Sequence, residues 1–200
     1  DTEGLKWQFE HNNFQEFLAA KILSDKSFSS MKKLMFFGPD YRKLIPSWSN
    51  TLSFLISISE DQDLIQWIIK NEPELAVKFE PDKIGIEIRV RIFKKIFNHY
   101  KKKQIWINRD KFRCSELARF AQSDESVEFI LSQVENAEHY TTASNAIEIL
   151  SRLYIPDNQK ERVRSLLVTY ATTSKFTDQV QTRALLALAD LKLNSSDIVE

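Results

Sequence analysis

Apolar residues recur along most of the chain at intervals of three and four, the spacing that places them on one face of an α-helix. An alternating segment over residues 5–10 predicts a short strand, and the helical spacing then predicts a first helix over residues 12–23. The apolar face of this helix comprises Phe14, Phe17, Leu18 and Ile22. Further helices are predicted over residues 29–37, from 46 or 47 onward, from 61 or 63 to 71, and over 74–79. The pattern predicts an all-α fold.

Residues 84–92 fit two kinds of secondary structure. Apolar and polar residues alternate strictly there, as in a strand, yet a helical period runs on through the following residues. The positions that keep this period are Ile88, Ile92, Phe93, Ile96, Phe97 and Tyr100. A lone strand would have no pairing partner among helices, so we predict a helix over residues 86–102.

Residues 109–200 contain a pattern that repeats. An apolar set with spacings of 3, 4 and 7 from its first member begins at Cys114, recurs 32 residues later at Ala146, and recurs again after 38 residues at Ala184. The three sets are Cys114, Leu117, Ala118 and Ala121; Ala146, Ile149, Leu150 and Leu153; and Ala184, Ala187, Leu188 and Leu191. The same helical phase places Glu148 and Asp190 off the buried face.

Second helices are predicted between these sets, over residues 125–134 and 159–171. Helix pairs with a period in the thirties are typical of an α-α superhelix, the HEAT/ARM-like solenoid, in which each pair buries its face against the next. A plain helical bundle is the alternative that could produce the same spacing. We therefore separate a connecting helical region, residues 26–108, from helical repeats over residues 109–200.

Composition narrows the class of protein further. Three Gly and five Pro in 200 residues are too few turn formers for a β-sandwich or barrel. The single cysteine, Cys114, excludes an internal disulfide and is predicted to be a buried packing residue. No apolar run approaches the roughly 20 residues that a membrane span requires, and no secretion signal opens the sequence, which starts without Met. We expect a cytoplasmic fragment with no membrane partner.

The net charge of zero conceals an uneven distribution. Residues 83–119 carry 12 basic and 3 acidic side chains, whereas residues 1–82 carry 9 and 13. Residues 120–200 carry 7 basic and 12 acidic side chains. The central basic block could bind an anionic partner, but we favour a block that faces solvent or the acidic parts of its own chain.

Motifs of catalytic chemistry are absent from the sequence. It has no glycine-rich phosphate loop and no nucleophile elbow, and its histidines, His11, His99 and His139, are not paired at a zinc-binding spacing. We therefore predict that this chain by itself is not an enzyme.

One motif is specific. Residues 9–20 read Phe-Glu-His-Asn-Asn-Phe-Gln-Glu-Phe-Leu-Ala-Ala. This resembles the Phe-x-His-x-x-Phe-Gln-Glu-Tyr/Phe-x-Ala-Ala motif of NACHT-type STAND NTPases, the class that includes the NLR immune receptors. In that family the motif ends the winged-helix domain, and its histidine reaches the phosphates of bound ADP. The resemblance implies that residues 1–25 end a winged-helix domain and that His11 contacts ADP; the residues alone also allow a His11 that only caps the helix.

The resemblance also implies nucleotide-binding motifs, a cofactor and partners that lie outside this chain. The P-loop and the acidic metal-binding motifs of the family lie upstream, so we expect no cofactor in this fragment and ADP or ATP with Mg in the parent protein. The implied partners are the chain's own upstream NTPase domain, an unknown protein ligand, and further copies on activation. The implied function is ligand sensing and autoinhibition in antiviral or immune-type signalling.

A nucleic-acid-binding HEAT-like module is the alternative function. Its contacts would be Arg89, Arg91, Lys94, Lys95, Lys101, Lys102 and Lys103, interleaved with Phe93, Phe97, Tyr100 and Trp106. Because these aromatic residues fall mostly at helical spacing, they are more typical of a core than of a base-stacking surface. Nucleic acid is therefore the less favoured partner.

Overall fold

The computed structural model describes residues 12–59, 61–107, 112–173 and 176–192. These residues form helices that pack on one another, with one two-stranded sheet, so the predicted all-α helical repeat fold is confirmed. The strand predicted over residues 5–10 and the candidate residue His11 lie outside the described ranges. The chain forms two compact units, which divide between Phe79 and Glu80.

The first unit consists of five helices and a small hairpin within the described residues. The helices are α1 (Asn12–Ser24), α2 (Phe28–Met35), α3 (Ser49–Ile58), α4 (Gln62–Asn71) and α5 (Pro73–Ala76). The antiparallel strands β1 (Phe36–Phe37) and β2 (Lys43–Leu44) follow α2, and a 3-10 turn, Pro46–Trp48, leads into α3. Asp61 caps α4 by accepting a hydrogen bond from the Leu64 backbone N–H at 3.0 Å, which agrees with the predicted start.

The predicted apolar face of α1 needs correction. Phe14 and Ile22 are 61% and 64% exposed, whereas Ala20 and Leu23 are buried. The reason is that α1 packs against α3 along a face rotated from the one that the large apolar residues indicate. Phe17 lies at the margin, where its ring meets the edge of Phe54 at 5.8 Å.

The predicted helix over residues 29–37 ends two residues early. Phe36 and Phe37 form β1 and pair with Leu44 and Lys43 instead of continuing the helix. The Phe36 ring packs on Trp67 of α4 at 3.9 Å, and the Trp67 Nε1–H donates to the Tyr41 carbonyl oxygen at 3.0 Å. The core therefore holds the hairpin, and this tertiary packing overrides the helical spacing.

In the part of the second unit that the structure describes, the helices form a stack of three pairs. Its helices are α6 (Ile86–Lys103), α7 (Cys114–Phe120), α8 (Asp124–Glu135), α9 (Tyr140–Leu150), α10 (Asp157–Thr172) and α11 (Asp178–Asp190). α7, α9 and α11 pack in succession, and α6, α8 and α10 do the same beside them. Each pair therefore contacts its neighbour through both helices, which is the arrangement of an α-solenoid.

The ambiguous segment is helical, as predicted. α6 runs from Ile86 to Lys103 and ends at Gln104, whose φ of 52° is in the left-handed region. It packs against α7, α8 and α9 and so begins the stack, one helix before residue 109.

The repeated apolar sets form the core of the stack. Of the twelve positions, all but Leu191 are buried, including Cys114. Ala146 and Ala184 have no exposed surface, which agrees with close approach of the helices there. Residues 141–147 of α9 are buried without interruption, because this helix lies between α7 and α11 and against α8. Within α9, only Tyr140 and Glu148 reach the surface.

Two buried polar side chains fasten segments of the stack. The Asn145 Nδ2 donates to the Ile105 carbonyl at 3.0 Å, and its Oδ1 accepts from the Ile107 backbone N–H at 3.2 Å. Asn145 thereby holds the chain that leaves α6 against α9. The Tyr170 hydroxyl donates to the Val134 carbonyl at 2.6 Å, and burial raises the pKa of this phenol.

Candidate interaction surface

Among the candidate cations of α6, Arg89, Lys94 and Lys101 contact other helices of their own unit. Arg89 donates from Nη1 to the Phe120 carbonyl at 2.9 Å. Lys94 pairs with Glu125 at 2.7 Å, and its Nζ lies 5.5 Å from the centre of the Phe129 ring. Lys101 donates to the Gln133 Oε1 at 2.8 Å. Some of the basic side chains of α6 are therefore hydrogen-bonded to α8 and to the end of α7.

The other candidate cations of α6 lie on its exposed side. Arg91, Lys95, Lys102 and Lys103 are all exposed. The first three recur at intervals of four and seven residues, which places them along one face of the helix. This face presents positive charge to solvent.

The aromatic residues of the basic block do not form a stacking surface. Phe93, Phe97 and Tyr100 are buried, as expected of core positions at helical spacing. Of this set, only Trp106 is an exposed residue, at 37%. Binding of single-stranded nucleic acid depends on rings that bases can stack on, so the aromatic residues of α6 give the alternative function no support.

We expect this chain to bind nucleic acid weakly and to lose that binding at physiological salt. The reason is that the exposed positive face of α6 offers charge without base-stacking rings. Fluorescence anisotropy with labelled duplex and single-stranded probes, repeated over a salt series, measures this. A Lys21→Glu, Lys26→Glu, Lys33→Glu variant, altered at exposed lysines of the first unit, controls for the change in net charge of a triple variant in α6.

Submicromolar binding at physiological salt would contradict this prediction. If that binding also disappeared in a Lys101→Glu, Lys102→Glu, Lys103→Glu variant, with a steep salt dependence, nucleic acid would become the favoured partner.

The acidic side chains of α8 connect it to both neighbours in its layer. Glu125 pairs with Lys94 of α6, whereas Glu128 and Glu135 both pair with Arg162 of α10 at 2.9 Å. The hydrogen bonds that the Arg162 guanidinium donates to Glu135 and to Glu128 raise the pKa of Arg162. The basic block therefore faces acidic residues of its own chain in part, as the charge distribution indicates.

A second cluster, Trp106–Tyr140–Arg183, combines side chains from three separate elements. The ring centres of Trp106 and Tyr140 are 6.1 Å apart, and the Arg183 guanidinium carbon lies 5.3 Å from the Trp106 ring centre. Both aromatic residues are more than a third exposed. We call this group the aromatic–arginine cluster.

Each member of the aromatic–arginine cluster is held by the fold. Asn145 bonds the backbone on both sides of Trp106. Tyr140 opens α9 directly after His139, whose Nδ1 accepts from the Thr141 backbone N–H at 3.3 Å. Arg183 of α11 forms an ion pair with Glu148 of α9.

Sequence reasoning missed most of this cluster. The helical spacing that groups Trp106 with the basic block assigns no role to Tyr140 or Arg183. It also placed Glu148 off the buried face, whereas Glu148 is only 25% exposed and is committed to Arg183. Helical phase within one segment carries no information about residues from three elements that meet only in the folded stack.

The remaining observations concern cofactors, membranes and relatives. No group of metal-ligating side chains occurs among the residues that the structure describes. Within those ranges, every helix falls short of the length and apolar character needed to cross a membrane.

Comparison of the chain with protein-family models, curated proteins and solved structures found no match. The NACHT-like character of residues 9–20 therefore stays a prediction.

Proposed function

We propose that this chain is a regulatory and recognition region of a STAND-type NTPase in the cytoplasm, and that it is not itself catalytic. The helical stack recognises a protein and restrains the NTPase domain of the parent protein. The observation that carries the recognition role is the aromatic–arginine cluster, which three successive helix pairs build on one surface.

The composition of this cluster suits a protein partner. Trp, Tyr and Arg are the side chains that most often dominate the binding energy of protein interfaces. Here their positions are fixed by Asn145, the start of α9 and the Glu148 ion pair, so little conformational entropy would be lost on binding. A stack of helix pairs offers such a surface without requiring a pocket.

The regulatory role is supported by the motif at residues 9–20. α1 begins at Asn12, the residue that follows His11 in the sequence. The start of a 13-residue helix presents unpaired N–H groups that suit a phosphate, and an imidazole N–H adds a further donor. In the parent protein, His11 would contact the phosphates of ADP and keep the NTPase in its resting state. Release would allow oligomerisation and signalling in antiviral or immune-type defence.

We expect His11→Ala to release most of the ADP that co-purifies with the parent protein. A lost hydrogen bond to a charged phosphate is worth about 1.5–3 kcal/mol, or roughly a tenfold to hundredfold weaker affinity. Chromatography of the nucleotide released from the purified protein measures retention. His99→Ala, which alters an exposed histidine of α6, is the matched control and should retain ADP.

Unchanged ADP in His11→Ala would remove the assigned role of His11. A parent protein without an upstream P-loop would overturn the whole proposal. A Trp106→Ala variant distinguishes whether the aromatic–arginine cluster binds the NTPase domain of the parent protein or an external protein. Loss of ADP in that variant would indicate that the aromatic–arginine cluster packs on the NTPase domain, and full retention would indicate that it faces an external protein.

A further inference from the structure

Helix α11 carries a largely apolar stripe on the side that the stack leaves exposed. The stripe consists of Thr182, Leu185, Leu186 and Ala189, which lie at spacings of 3, 4 and 7 on one face and are all exposed. Leu185 and Leu186 are 51% and 60% exposed. The Thr182 hydroxyl donates to the Asp178 carbonyl at 2.8 Å, so the polar atom of the stripe is hydrogen-bonded within the helix. We call this group the α11 stripe.

The repeat indicates what packs on this side of a helix. The apolar sets of α9 and α11 are 38 residues apart, and the same shift places the α11 stripe on Ser144, Ile147, Glu148 and Ser151. Glu148 forms the ion pair with Arg183 of α11, and Ser144 and Ile147 are buried. The corresponding side of α9 is therefore the one on which the next helix of its layer packs. On α11 the same side is exposed, with no such cover among the residues that the structure describes.

The first and last helix pairs differ in the chemistry of their exposed side chains. In the first pair, α6 exposes Arg91, Lys95 and Lys102, and α7 exposes Ser115 and Arg119. In the last pair, the α11 stripe exposes two leucines. The terminal members of a helical stack require a polar outer face to remain in solution, and the α11 stripe is not polar. We therefore expect another protein surface to cover it.

We propose that two copies of this chain pair through their α11 stripes about a two-fold axis. The stripe reads small, large, large, small, so it is the same in both directions and complements itself. Two antiparallel α11 helices, with the axis between Leu185 and Leu186, place Leu185 of one copy against Leu186 of the other. They also place Thr182 of each copy opposite Ala189 of the other. A second copy therefore matches the stripe along its whole length.

The charges at the two ends of α11 support the antiparallel direction. Asp178 is the first residue of the helix, Lys192 follows its last residue, Asp190, and all three are exposed. Asp178 lies on the same side as the stripe, four residues before Thr182. In the antiparallel pair, Asp178 of each copy lies beside Lys192 of the other, which gives two ion pairs that are equal by symmetry. A parallel pair would instead bring Asp178 against Asp178.

Other occupants fit the α11 stripe less well. Head-to-tail stacking would press its leucines onto the exposed cations of the first helix pair, and burial of those charges is costly. A lipid surface binds helices that flank an apolar face with several cations, whereas Asp178 and Asp190 flank this one. The proposal goes beyond the function proposed above and does not rest on it, since it requires neither ADP nor a partner of the aromatic–arginine cluster.

Sedimentation velocity of the chain over a concentration series tests the proposal. We expect a reversible monomer–dimer equilibrium with a dissociation constant of roughly tens of micromolar, since one helix from each copy forms a small interface. No species larger than a dimer is expected, because a two-fold contact closes on itself. Unfolding is followed well below this concentration, where the chain is monomeric, so pairing and stability are measured separately.

Leu186→Glu supplies the second arm of the test. It introduces one carboxylate on each side of the two-fold axis, and we expect at least about tenfold weaker pairing because these like charges would be buried without a partner. Ile22→Glu is the matched control, since Ile22 is 64% exposed on α1 of the first unit. This variant should pair like the unaltered chain. Circular dichroism verifies that both variants are folded.

Reversal of the end charges tests the direction of the helices. Asp178→Lys alone should weaken pairing about threefold to tenfold, because lysines then face one another at both ends of the interface. Adding Lys192→Asp to the same chain should restore the affinity, since each ion pair forms again with its signs exchanged. A double variant that pairs no better than Asp178→Lys would overturn the antiparallel arrangement.

A chain that stays monomeric at about ten times the expected dissociation constant would overturn the proposal and leave the α11 stripe to a different protein. Masses that grow beyond the dimer, unchanged pairing in Leu186→Glu, or an equal loss in Ile22→Glu would each overturn it as well. The mass measurements use the unaltered chain, so they remain decisive even where a variant fails to fold.

Discussion

Replacing Leu188 by alanine is expected to lower the free energy of unfolding by about 2–5 kcal/mol. Leu188 is 3% exposed on the face of α11 that packs in the stack, so truncation removes buried apolar surface and leaves a cavity. Chemical denaturation followed by circular dichroism measures the change, provided that the slope with denaturant stays constant.

Leu186→Ala is the matched control for this experiment. Leu186 is the same residue type on the same helix, but its side chain is 60% exposed. Its truncation should change the free energy of unfolding by no more than about 0.5 kcal/mol. Equal effects at the two leucines would mean that the face of α11 buried in the stack is wrongly assigned, and the repeat arrangement would lose its main support.

Asn145→Ala is expected to destabilise the second unit by about 1–3 kcal/mol for each backbone group that it leaves unsatisfied. The groups at risk are the Ile105 carbonyl and the buried Ile107 N–H, which no longer have a side-chain partner in the variant. Because the same bonds hold the backbone around Trp106, we also expect a changed tryptophan emission spectrum. Denaturation and fluorescence are measured on the same samples.

Asn136→Ala provides the comparison. The Asn136 Nδ2 also donates to a backbone carbonyl, that of Ser132 at 2.8 Å, but this bond is exposed and water can replace it. Its loss should cost no more than about 1 kcal/mol. If the two asparagine variants were equally stable and had the tryptophan emission spectrum of the unaltered chain, Asn145 would not hold the segment that carries Trp106 in place.

The repeat architecture could be predicted because it depends on local signals. Three apolar sets share one spacing, and the intervals between them predict helix pairs whose faces must be buried against one another. The helix over Ile86–Lys103 was predictable for the same reason, since the helical period continued beyond the alternating segment. In both cases the information lies within a single stretch of chain.

The features that could not be predicted arise from contacts between distant segments. Phe14 and Ile22 look like core residues by type, but α3 meets another face of α1. Phe36 leaves its predicted helix because Trp67 and Leu44, both distant in sequence, provide a ring partner and a strand partner. The aromatic–arginine cluster likewise exists only after folding.

Residues 141–147 of α9 are buried without interruption, so they support the helical stack and cannot contact a partner. The middle of this helix exposes nothing for a partner to distinguish, so its sequence is constrained by its neighbours alone. Recognition is left to the connecting segments and helix ends, such as Trp106 and Tyr140, and to Arg183 on the adjacent helix. A new binding preference could therefore evolve at these margins while the interior stays unchanged.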